Sequence, residues 1–84
     1  MDQVHQLFLR DLGHLIKEHA IEAQQEARNA RRKEGAGEEG AGFALGRAMA
    51  YHEVVSLIQQ QAAAFGIELS DLELDDLTPE RDLL

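Results

Sequence analysis

The chain has no cysteine, no tryptophan and a single proline in 84 residues. Without thiols, neither a disulfide staple nor a thiolate zinc site can hold so small a domain together. With one proline, near the C-terminus, most of the chain is free of the residue that ends helices. Aromatic residues make up only 5% of the composition, and this scarcity points to a helical chain of Ala, Leu, Gln and Glu. Positive charge is also short: 8 Lys and Arg stand against 16 Asp and Glu, giving a formal net charge of -8. That balance disfavours nucleic-acid backbones and anionic membranes as general partners. No apolar run approaches the length of a membrane span. The opening MDQVHQLFLRDLGHL lacks the apolar core and small-residue cleavage site of an export signal. The cytoplasm is therefore the expected compartment.

What is present is enough apolar material to fold, 44% of the residues, which argues against disorder. One domain is expected. At this length a lone core is marginal, and with disulfides and thiolate metal sites excluded, association is the remedy that remains.

Val4, Phe8, Leu12, Leu15, Ile16, Ala23, Ala27 and Ala30 recur at helical spacing with almost no breaker between them. They predict one helix over about 3–33, roughly 45 Å long at 1.5 Å per residue. Asp2 is expected at its start as cap or first-turn acid, and Arg28, Arg31, Arg32 and Lys33 crowd the end where the macrodipole favours cations. Gly13 costs up to about 1 kcal/mol against alanine, and marks either a kink or the close approach of a neighbour. Residues 34–42, EGAGEEGAG, read as a turn of a length suited to an antiparallel connection. A pivot near Glu38 sets Ala27 opposite Met49, Ala23 opposite His52 or Glu53, Leu12 opposite Ala64 and Phe8 opposite Ile67, small side chains against large.

The second helix, over about 43–65, is the segment apolar enough to need cover on more than one side. At 100° per residue Phe43, Ala44, Ala50, Tyr51, Val54, Val55, Leu57, Ile58, Ala62 and Phe65 share one broad arc, with Leu45 and Met49 on the other side. Two apolar surfaces predict two neighbours, the rest of the chain and a second copy. The expected subunit interface is Leu45, Met49, Tyr51, Val54, Val55, Ile58 and Phe65. Arg47 lies on the apolar arc, where an unpaired guanidinium is costly, and its expected partner is Glu26 or Glu22. The alternative is a packed stem with its head in water.

Gly66 is a helix stop, with Ile67 placed for the hydrophobic contact of a C-terminal cap. Residues 66–84 form an extension of different composition, in which leucine and isoleucine interleave with acids. Ser70 and Glu73 have capping-box spacing, and Thr78, Pro79 and Glu80 read as the start of another helical turn. So many leucines predict docking on the hairpin or on a partner subunit. The fold is thus expected to be all-α: an antiparallel helical hairpin with a short C-terminal extension, two copies of which form a four-helix bundle.

Chemistry is thinly represented. His14, Glu18 and Glu22 recur every four residues, with His19 beside them and His52 and Glu53 on the second helix. Such groups can hold a divalent metal between helices, yet the Glu-x-x-His pairs of di-iron bundles are absent. Arg10, Lys17, Arg28 and Arg32 form a basic stripe with no interleaved aromatic or amide groups for reading nucleic acid. His52 and Ser56 stand one turn apart without an acidic third member or a strand-to-helix nucleophile turn. No catalytic site and no cofactor is expected. The leading expectation is a small, acidic, non-enzymatic protein-protein interaction or regulatory protein that is homodimeric and engages another protein. The alternatives are a bundle binding a divalent metal or small ligand through His14, Glu18, His52 and Glu53, and an acidic antitoxin-like or nucleic-acid-mimicking inhibitor.

Overall fold

A computed structural model of the protein describes residues 3–32 and 38–83. Over them the chain is all-helical. Helix α1 is Gln3–Arg32 and α2 is Glu38–Phe65; a 3-10 turn at Leu69–Leu72 and a short helix α3 at Pro79–Asp82 follow. The expected roles of Asp2 and Lys33 lie outside the described residues. The molecule is a rod of 51 × 21 × 18 Å, with α1 and α2 packed along its length and the extension folded back beside them.

Helix α2 begins at Glu38, earlier than the expected start at Phe43. Gly40 and Gly42 lie inside it, where nothing crowds either position. Glycine within a helix costs about 1 kcal/mol and does not forbid it, so two glycines without a proline are a weak stop. The longer α2 moves the hairpin register by about one helical turn. Ala23 and Ala27 therefore pack against Ala44 and Ala48, and Met49 is exposed. The expected pairing of small with large gives way to an alanine seam that lets the two helices close up.

The bulk missing from that seam comes from the extension. Leu72, Leu74, Leu77 and Leu83 are buried with Ala20, Val55 and Ala62 in the main core, and Leu9, Ile16, Ile58 and Ile67 flank them. The chain reaches this position through a complete Schellman cap. Gly66 has a φ of 69°, Ile67 N–H donates to the Ala62 carbonyl at 2.8 Å, and Gly66 N–H donates to that of Ala63 at 3.2 Å. Only glycine takes that φ without strain.

The expected capping box of Ser70 and Glu73 does not form. Ser70 lies inside the 3-10 turn, whose preceding residue is Glu68, and Glu73 terminates it with a left-handed φ of 54°. Three-residue hydrogen bonding closes the turn before a capping box could span it. Helix α3 does start at Pro79 with Thr78 as its cap. Thr78 N–H is satisfied by Asp82 Oδ2 at 2.8 Å, reaching back one turn.

Candidate interaction surfaces

The two long helices divide the rod into two broad faces. On α1, Gly13, His14 and Lys17 turn toward the extension. The Leu72 carbonyl lies directly over Gly13, His14 Nδ1 meets Glu73 Oε2 at 2.9 Å, and Lys17 Nζ meets Asp76 Oδ1 at 3.2 Å. On α2, Gln59 Nε2 donates to the carbonyls of Leu77 at 2.8 Å and Leu74 at 3.2 Å. This side of the hairpin is closed by its own chain. At its far end Leu83, Leu45, Ala48 and Met49 line a groove of about 320 Å³ with Arg28 and Arg31. Gln24 is buried beneath it, and with its amide assigned oxygen-first toward Arg28 it accepts from Nε at 2.7 Å and Nη2 at 3.0 Å.

The opposite face has no such cover among the described residues. Phe8, Leu12 and Leu15 of α1 and Val54, Leu57 and Phe65 of α2 are each between 41% and 76% exposed. Half a turn separates them from the side that meets the extension. Between the two rows runs an apolar groove of about 370 Å³, walled by Leu12, Ile16, Leu57, Ile58 and Phe65 and floored by Ile67 and Leu72 of the extension, with Gln61 as its single polar lining residue. Toward the hairpin loop the same face becomes polar. There Arg47 Nη1 donates to Glu26 Oε2 at 2.9 Å and lies 5.5 Å from the Tyr51 ring, while Tyr51 Oη is 3.5 Å from His19 Nδ1. Glu22, the other candidate for Arg47, is exposed. With half of the Glu26 carboxylate side chain in water, this pair contributes at most about 1 kcal/mol.

The residues expected at the subunit interface fall in three different places. Val55 is fully buried inside its own chain, where it fills the space beside the alanine seam. Leu45 and Met49 border the groove beside Leu83 on the extension side. Tyr51, Val54, Ile58 and Phe65 belong to the uncovered face or its edge, joined by Leu57 and by Phe8, Leu12 and Leu15. Those three residues of α1 carried a signal in their bulk, since the inward positions further along α1 are alanines.

The metal candidates do not converge. His14 has Glu18 Oε1 at 3.0 Å on its other ring nitrogen, whereas His52 and Glu53 line a separate groove with Met49. No cluster of three or more potential metal ligands occurs among the described residues. Among the described residues, His52 Nε2 and Ser56 Oγ are buried without a hydrogen-bond partner. Both atoms are sealed from solvent, so the pair offers no accessible nucleophile. Within the basic stripe, Lys17 pairs with Asp76 of the extension. In α3 the Arg81 hydrogen bond, then that from Thr78 N–H, hold the Asp82 carboxyl down to about 2. No helix among the described residues is long and apolar enough to cross a membrane. No protein-family model, curated protein or solved structure matches the chain.

Proposed function

We propose that the protein is a small, acidic, non-enzymatic interaction protein that works as a homodimer, two hairpins closing into a four-helix bundle through their uncovered apolar faces. One observation supports this reading above the others: the extension seals one side of the hairpin, while six large apolar side chains line the other. Weighted by exposure they present on the order of 600 Å² of apolar surface, taking about 150–200 Å² for each when fully exposed. That is the top of the range for the largest patch on a stable monomer. Two such faces together approach the roughly 1,200 Å² at which specific interfaces begin. The acidic exterior keeps the assembled dimer soluble and turns a charged surface toward other proteins.

A matched pair of variants tests the surface. Leu57→Glu places a carboxylate in each half of the proposed interface and is expected to raise the dimer dissociation constant about 100-fold, tenfold per copy. Met49→Glu is equally exposed but lies on the extension side, and is expected to elute from gel filtration as the unmodified chain does. Equal behaviour of the two variants, or a monomer only with Met49→Glu, would remove the face from the account.

A further inference from the structure

The apolar patch occupies one half of the uncovered face, and this polarity fixes how a second copy fits it. Phe8, Leu12, Leu15, Val54, Leu57 and Phe65 all lie toward the open end of the hairpin. The loop-end half of the same face carries Glu22, Glu26 and Arg47 with His19 and Tyr51. Two face-to-face dimers have two-fold symmetry. With the loops aligned at one end, the second copy covers the whole face and takes three charged groups per chain out of water. With the hairpins head to tail, and the axis crossing the face between Leu12 and Leu15, apolar halves cover each other and the pair of Arg47 with Glu26 stays solvated. Desolvating charges outweighs the extra contact an aligned pair would gain.

We infer, resting on the dimer reading above, that the partner seated on this face is a second copy turned head to tail, with the two loop ends at opposite poles. A copy suits the groove better than an unlike protein does, because its lining offers one polar group, Gln61, and so little by which a different partner could be told apart. In the register of the hairpin, Phe65 of one subunit covers the partner's Val54, and Leu12 meets the partner's Leu15. Each pole keeps the ion pair of Arg47 with Glu26 and the exposed Phe43. The dimer is thus bivalent, with two identical charged ends held apart for a protein partner to engage together.

The absence of native cysteine allows a clean distance measurement. Asn29, exposed near the loop end of α1, is replaced by cysteine, spin-labelled, and the label-to-label distance is read by pulsed dipolar spectroscopy on the full chain. The head-to-tail dimer predicts about 45 Å, from about fifteen residues of 1.5 Å rise on either side of the axis. A distance under about 30 Å would overturn the arrangement while leaving the dimer intact. No dipolar coupling at concentrations of tens of micromolar would overturn the dimer itself.

Discussion

Gly13→Ala is expected to lower stability by about 1–2 kcal/mol, against the usual direction of a glycine-to-alanine change in a helix. A Cβ at this position would fall within 2.9 Å of the Leu72 carbonyl carbon and closer still to its oxygen. Those are backbone atoms of the 3-10 turn, held by the hydrogen bonds that close it, so no side-chain rotation relieves the overlap. The extension must lift from α1, loosening the burial of Leu72 and Leu74 in the core. Overpacking of this kind costs about 1–3 kcal/mol or more, and the helical gain of about 1 kcal/mol offsets only part of it. Gly46→Ala is the control. Gly46 lies inside α2 with open space where a methyl group would go, and its replacement is expected to stabilise by up to about 1 kcal/mol. Thermal melts followed by circular dichroism, at one fixed protein concentration because association raises the melting temperature, should move in opposite directions, the Gly13 variant downward by about 5–15 °C. Two upward shifts would mean that the extension does not rest on Gly13.

Leu74→Ala is expected to cost more, about 2–5 kcal/mol. Leu74 is fully buried, although it belongs to a segment that contains no long helix, and its carbonyl accepts from Gln59. Truncation removes a core side chain and loosens the strap that Gln59 secures through Leu74 and Leu77. A domain of this length has about 4–12 kcal/mol in all, so the loss is a large share of the total. The urea midpoint should fall accordingly, while Leu7→Ala, at an exposed position of α1, should change stability by no more than about 0.5 kcal/mol. A Leu74→Ala midpoint within experimental error of the parent would place the extension outside the core.

The hairpin, the stop at Gly66 and the start of α3 were legible in the sequence, because each rests on a local signal, whereas the leucines of the extension predicted docking without saying on which surface. Apolar periodicity marks the helices, a glycine with a following isoleucine marks the cap, and Thr-Pro marks the next turn. The reach of α2 was not legible. Glycine-rich residues 38–42 read as loop by composition, yet nothing near Gly40 or Gly42 opposes a helix, and that difference moved the register by a turn. Side-chain size then decided which surface of α2 faces α1. Ala44 and Ala48 allow close approach and turn inward, leaving Val54, Leu57 and Phe65 outside. A helical wheel shows that α2 has two apolar surfaces, but not which of them the chain covers by itself. The Ser70 and Glu73 spacing misled for a related reason: a cap motif acts only where a helix long enough to use it follows.

The uncovered face is the centre of this account, and sedimentation equilibrium of the unmodified chain tests it most directly. Across a dilution series from tens of micromolar downward, the mass should fall from twice 9.4 kDa toward 9.4 kDa, with the midpoint displaced to higher concentration in Leu57→Glu. A constant 9.4 kDa at every concentration, from a chain that still melts cooperatively, would show that the face needs no second copy to cover it.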